Sequence, residues 1–247
     1  MVNYFKEFWR IYGDRGILGM CFLARTAMPV VYGTHDLSKP ILYVYGDKDT
    51  GKTEFIKSLF KTSDISTMSI NVLDVHKYFK VDSLIPGISH IDDINEPLDS
   101  NFIECIKGGS DPLYKRFMII SGREDLRGNT SLFSRTVFLD FNGPWSFKEN
   151  RAKDFEVFRF IRDHALINKF DVEHSTHKLV YSIHHAQKII KYNFPTACDR
   201  VRENYIALLA GYFYFQDIFP ANEQGVINTL LVELDKQNEV INQSINK

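Results

Sequence analysis

Four groups of residues in this chain have types and spacings that could do chemistry. The first is Gly46-x-x-x-x-Gly51-Lys52-Thr53, within "YVYGDKDTGKTEF". A loop of this form can wrap a phosphate group in backbone N–H donors. Asp47, Asp49, Thr50 and Gly51 would supply amides, and the start of a following helix would add partial positive charge. Lys52 would reach the β- and γ-phosphates, and the Thr53 hydroxyl would hold Mg²⁺. With average residue usage the pattern arises by chance in roughly one of 100 chains this long. The alternative is a strand–turn–helix with ordinary turn glycines. The second group is Asp92-Asp93 in "ISHIDDI", where two carboxylates end an apolar stretch. One would hold a metal-bound water and the other would polarise an attacking water. The plainer reading is a pair of solvated turn acids.

The third group is Lys107, Lys115 and Arg116, flanking a turn built on Gly108-Gly109 and Asp111-Pro112. Such a protrusion could touch the phosphates of a nucleic acid strand, although charge pattern alone favours a solvated basic loop. The fourth is Arg135 in "SLFSRTVFLDF", at the start of an apolar run. It could stabilise phosphoryl-transfer charge from a neighbouring subunit; a surface salt bridge is the simpler reading. His174, His177, His184 and His185 share a helical region and could line one face. No cysteine or acid joins them at ligand spacing, so surface and half-buried histidines are expected rather than zinc. The aromatic series Tyr205, Tyr212, Phe213, Phe215 and Phe219 reads as helix core rather than as a base-stacking platform.

Positioning these groups requires a sheet with helices. "ILYVYG" (41–46) is an apolar run of the kind that forms a strand buried on both faces, and "KTEFIKSLF" continues it as a helix. "STMSINV" (66–72), "ISHIDDI" (88–94), "FMIIS" (117–121) and "TVFLDF" (136–141) read as further strands, and "SNFIECIK" (100–107) as a helix. Short strands separated by helix-length segments predict βαβ units and a parallel sheet, an α/β fold. Residues 3–33 predict one or two short helices, broken near Gly13–Gly16 and stopped around Pro29. After the turn cluster "FNGPW" (141–145) the pattern becomes helical to the end. Three segments are therefore expected: an N-terminal helical stretch (1–37), a P-loop core (38–147) and a C-terminal helical subdomain (148–247).

The chain has 247 residues, 44% of them hydrophobic, and a formal net charge of −1. That suffices for a sizeable core and argues against a blanket nucleic-acid coat, while allowing a local basic patch. No apolar run is long enough for a membrane span. The first residues lack a secretory h-region, and Cys21, Cys105 and Cys198 are odd in number and widely spaced. A reducing compartment is expected rather than secretion.

The order of these motifs resembles superfamily 3 helicases, within the AAA+ group: replication ATPases of small DNA viruses, plasmids, phages and mobile elements. "GDKDTGKT", "IDDI", "KGGSDPLYKRFMIIS" and "LFSRTVFLDF" carry the resemblance, which covers roughly residues 38–142. "KGG-x-x-P" is similar to the hairpin that precedes the fourth core strand in circular single-stranded-DNA virus replication proteins. "RVRENYIALLAG" is similar to the C-terminal lid of phage- and island-encoded helicases. The resemblance implies an AAA+-like P-loop NTPase that uses ATP and Mg²⁺ and works as a helicase in a homo-hexamer or other ring on single-stranded DNA. Lys52, Thr53, Asp92 and Asp93 would act in cis, Arg135 in trans, and Lys107 would grip DNA in the pore. The cell compartment would be the cytoplasm of a bacterial host, or the nucleus for a eukaryotic virus. The chain departs from the family at the end of the fourth strand, where an Asn usually orients water. Here "IISGR" offers Ser121 and Arg123 instead. That departure keeps open a nucleotide-switched loader or scaffold; a small-molecule kinase has less behind it, since no acceptor-binding lid is identifiable. About 38 residues precede the first core strand, so a separate origin-binding or primase partner, or a longer parent chain, is expected.

Overall fold

In the computed structural model, residues 4–28, 37–59, 67–68, 88–94, 117–142, 172–217 and 222–245 are described. Helices α1 (Tyr4–Tyr12) and α2 (Asp14–Ala27) lead in. Strand β1 (Ile41–Tyr45), helix α3 (Lys52–Leu59), and strands β2 (Thr67–Met68), β3 (Ile88–Ile94) and β4 (Phe117–Gly122) follow. A 3-10 turn at Leu126–Gly128 and the short helix α4 (Thr130–Phe133) connect to β5 (Thr136–Asp140). Three long helices complete the described chain: α5 (Val172–Asn193), α6 (Asp199–Tyr214) and α7 (Glu223–Ile245).

The strands form one sheet in the order β2-β3-β4-β1-β5, and every neighbouring pair is parallel. The α/β expectation therefore holds. The centre of the sheet falls where the sequence is most continuously apolar. Ile41, Leu42, Tyr43 and Val44 of β1 are buried, as are Met118, Ile119 and Ile120 of β4. A parallel strand covered on both faces needs such a run, because neither face meets water.

Helix α2 is the hub of the helical layer. Gly16 to Arg25 are all buried, as expected of a helix that is apolar around its whole circumference. It ends at Ala27, and Met28 turns extended (ψ 140) just ahead of Pro29, the conformation imposed on a residue before proline. Helix α6 lies directly against α2. A Cβ at Gly211 would sit 2.6 Å from the Arg25 backbone nitrogen, so only glycine permits this approach. The aromatic series of α6 is core, as its pattern predicts: Tyr205, Tyr212, Phe213 and Phe215 are buried, while Phe219 lies outside the described residues. The N-terminal and C-terminal helical segments thus share one hydrophobic cluster with the sheet.

Arg25 is buried at 6% exposure and donates through Nε to Ser38 O (3.3 Å) and through Nη2 to Leu37 O (3.2 Å). Its guanidinium lies 5.2 Å from the Phe117 ring centroid. Burial pulls its pKa down to about 10, which still leaves it charged near neutrality. It clamps the segment that leads into β1, ahead of the strand's first residue. Among the described residues no helix is long and apolar enough to cross a membrane.

Candidate functional site

Strands β4, β1 and β5 end level with one another. Tyr45 is paired with Gly122 on one side and Asp140 on the other. The crevice outside the carboxyl ends of such a sheet is where ligands bind in open α/β proteins. The ladder runs one step past β1, with Gly46 N donating to Gly122 O (3.1 Å) and Phe141 N to Tyr45 O (2.8 Å). The chain then leaves the sheet and must reverse into α3 within six residues, 46–51.

Glycine and left-handed backbone make that reversal possible. Asp49 (φ 64) and Gly51 (φ 90) both have positive φ; aspartate tolerates this region better than most side chains. Gly46 is required for a steric reason. A Cβ there would lie 2.8 Å from Thr50 Oγ1 and 3.0 Å from Phe141 Cβ. The Thr50 hydroxyl donates to Asp47 O (2.9 Å), closing a turn inside the loop. Phe55 N donates to Gly51 O (2.9 Å), the first bond of α3. The earlier amides of the helix have no carbonyl partner within it, which suits an anion at its N-terminus.

Lys52 is folded beneath this loop. It is 8% exposed, and its ammonium donates to Gly46 O and Asp47 O, both at 2.6 Å. The contacts hold a cation at the mouth of the turn. Thr53, one position on, is exposed.

Asp92 and Asp93 sit at a defined place in the sheet. Ile91 pairs with Ile120 and Ile94 with Gly122, so three steps on β3 match two on β4. This β-bulge contains the two aspartates and sets their backbone level with Ser121, hence with Val44 of β1. Bulges re-aim side chains and are frequent beside active sites. β3 lies two strands from β1, about 10 Å at the usual strand spacing. The strand continues through the pair to Ile94 instead of stopping at it. The aspartate side chains lie outside the described residues.

Ser121 is fully buried on β4, one residue inside the strand end, and Arg123 follows as an exposed residue. Arg135 stands at the other edge of the sheet. Its Nη1 donates to Ser131 O (2.6 Å) and Ser131 Oγ (3.2 Å), and its own carbonyl accepts from Ile41 N (3.0 Å). The length of β5 separates it from the loop, about 16 Å at the rise of a strand. Lys107, Lys115 and Arg116 lie outside the described residues, as does the helix expected at 100–107.

Three contributors escaped the motif reading. Asn142, in the stretch read only as a turn, accepts through Oδ1 from Asp47 N (2.7 Å), while its own N donates to Asp140 Oδ1 (2.8 Å). Asp140 O accepts from Arg15 Nε (2.5 Å), and the Arg15 guanidinium lies 5.1 Å from the Phe141 ring centroid. Burial pulls the Arg15 pKa below its ordinary value, opposed by Asp140, Glu233 and Asp14. A chain Arg15–Asp140–Asn142–Asp47 thus ties the first turn of α2 to the loop. One clue in the sequence was local, an Asp-Phe-Asn string at the end of a strand, which suits the bond from Asn142 N to Asp140 Oδ1; the contact with Asp47, 95 positions away, had none.

Arg127 makes a forked contact with Asp125 (Nε to Oδ1 2.8 Å, Nη2 to Oδ2 2.6 Å) and lies 3.8 Å from Asp140. Burial alone would raise the Asp125 pKa; hydrogen bonds from Arg127 outweigh it and hold the pKa below its ordinary value. The same bond raises Arg127. The guanidinium also covers the Tyr45 and Phe138 rings at 5.5 and 5.6 Å. Beside it a cavity of about 590 Å³ opens between the α1–α2 turn, β5 and α7, lined by Tyr12, Arg15, Phe138, Asp140 and Gln237 among others.

Of the four histidines, His177 and His184 are exposed, His185 is half-buried against Phe213, and the His174 side chain is outside the described residues. Among the described residues no three His, Cys, Asp or Glu side chains gather as a metal group. Comparisons with family models, with curated proteins and with solved structures found no match.

Proposed function

We propose that this chain is a P-loop ATPase that drives movement on a nucleic acid, a superfamily 3-type helicase motor. One observation carries the reading. Between a doubly buried parallel strand and a helix, a six-residue loop adopts left-handed backbone at Asp49 and Gly51, with the Lys52 ammonium drawn under it. Successive amides in such a turn form an anion-binding hollow, and Gly46 leaves the room that a side chain would fill.

These residues suit a nucleoside triphosphate with Mg²⁺. The amides of residues 47–52 would wrap the β-phosphate, and Lys52 would swing from its two carbonyls to the β/γ oxygens. Thr53, exposed in the first turn of α3, would ligate the metal, and Asp92 would hold a metal-bound water. Asp93, on the same bulge, would polarise the attacking water. Magnesium, when bound, neutralises charge that develops on the phosphate oxygens. Arg135 is too far from its own loop to act there, which fits service to a neighbouring subunit in a ring, with ATP between copies.

The test is ATP turnover with and without single-stranded DNA, and strand displacement on a forked duplex. DNA should stimulate turnover, and Lys52→Ala should lower it about 100-fold or more, as loss of a transition-state donor does. Turnover unchanged in that variant would end the reading. A second reading, a nucleotide-switched loader or scaffold, draws on Ser121. Fully buried, it does not meet water as a water-orienting residue at the strand end would. On that reading ATP binds and the forked duplex stays closed.

A further inference from the structure

The solvent side of α5 has features that the phosphate loop does not account for. From His174 to Asn193 the helix has no acidic residue. Tyr181 is 67% exposed and Tyr192 85%, unusual for rings of this size. Eleven residues apart, they stand three helical turns from each other on nearly the same azimuth, about 16 Å along the axis. Lys188 lies between them on the same stripe, His184 and Lys191 flank it, and all three are exposed. A groove of about 580 Å³ runs along this face. Among the described residues it is lined by Tyr181, His184, His185, Gln187, Lys188 and Lys191, with no carboxylate.

The rings are organised. Tyr181 stacks on His185 at 5.7 Å with 15° between planes, and His185 packs on Phe213 of α6 at 4.5 Å. Phe213 is buried, so the ladder is anchored in the core and its outermost ring is presented to solvent. By contrast Lys178, towards α6, is paired with Asp217 at 2.7 Å. Its charge is matched within the chain.

We propose that this face of α5 binds single-stranded nucleic acid, with bases stacked on Tyr181 and Tyr192 and the phosphates met by Lys188 and Lys191. The charge selects a polyanion. The rings then favour a nucleic acid among polyanions, because every nucleotide brings a flat base to stack, whereas the Asp and Glu side chains of an acidic polypeptide carry no ring. A single strand is favoured over a duplex, whose bases are already stacked on one another. The proposal rests on the partner class named above, but it is built on residues other than Lys107, Lys115 and Arg116 and does not use the ATP loop.

The experiment is fluorescence anisotropy of a labelled oligothymidylate with the full chain, without nucleotide, across a salt series. Tyr181→Ala and Tyr192→Ala should each weaken binding about ten-fold, the cost of one lost base stack, while Tyr181→Phe, which keeps the ring, should bind as the wild type does. The pair Lys188→Gln and Lys191→Gln should lower the salt slope by about 1.4, or about 0.7 for each phosphate contact. All four positions are exposed, and unchanged thermal melting would verify that the fold is kept. Unchanged affinity and slope in every variant overturns the proposal. So does loss in the lysine pair alone, which would mark a plain basic face suited to an acidic protein. Lys52→Ala should bind the oligonucleotide like the wild type, so failure of the ATPase reading and failure of this one are read separately.

Discussion

At its carboxyl end β1 runs into backbone bent by its own residues, glycine and a left-handed aspartate, with one light tie from afar: Asn142 Oδ1 accepts from Asp47 N, 95 positions away. At the amino ends of β1 and β5 the same region of sheet is held by two buried amides from distant helices. Asn204 donates to Ser134 O at 2.9 Å from 70 positions away, and Gln237 donates to Phe133 O at 2.7 Å from 104. Gln237 also donates to Thr136 O (2.9 Å) and accepts from the Tyr205 hydroxyl (3.2 Å), and Asn204 accepts from Ser38 (2.5 Å). Both residues are almost fully buried. One end is therefore shaped mainly by the backbone of its own short loop, with a single exposed side-chain tie. The other is a long-range clamp that meets the carbonyls left at the turn into β5, where orphaned polar groups would be costly.

This contrast sets the sizes of effect when each end is disturbed. The largest fall on stability, at the clamp. Gln237→Leu should cost about 1–3 kcal/mol, because it takes one donor from each of two buried carbonyls and removes the acceptor of the buried Tyr205 hydroxyl. Asn204→Leu should cost a similar amount, and the pair should be non-additive because both donors serve the same turn. Urea midpoints check this, and nucleotide affinity of the folded fraction should barely move. The loop should behave the opposite way. Gly46→Ala forces a methyl against Thr50 and Phe141; overpacking of about 1–3 kcal/mol should appear as a loss of about five-fold or more in ATP-analogue affinity, with a smaller shift in melting. Calorimetric titration reads the first and a thermal melt the second. The smallest effect belongs to Asn142→Ala. Removing one hydrogen bond that orders the loop should weaken the analogue by about 0.5–1.5 kcal/mol, leaving melting almost unchanged. A large stability loss in Asn142→Ala, or a large affinity loss in Gln237→Leu, would erase the distinction between the two ends.

The same contrast explains what could be read from the sequence. The loop motif, its preceding strand and its following helix are contiguous, and their physics is local: an apolar run, glycines, then a helix start. The strands of the sheet were legible for the same reason. Their order was not, because nothing in "FMIIS" or "TVFLDF" says that β4 and β5 flank β1. The bulge at Asp92-Asp93 was also invisible, since it exists only in the register against β4. Asn204 and Gln237 read as ordinary helix polars, and only the folded chain brings them to carbonyls far away in sequence. Arg135 is legible in both type and place, because it directly precedes the apolar run that forms β5 and strand direction then puts it at the amino end; its bonds to Ser131 are seen only in the fold.

The central claim is that the loop from Gly46 to Thr53 closes around a triphosphate. Hydrogen–deuterium exchange of the full chain with Mg²⁺ and a non-hydrolysable ATP analogue tests it most directly. The account predicts slowed exchange in the peptide spanning residues 46–55 for the wild type and no slowing there in Lys52→Ala. Protection absent from that peptide in the wild type, or equal in the two proteins, would contradict it.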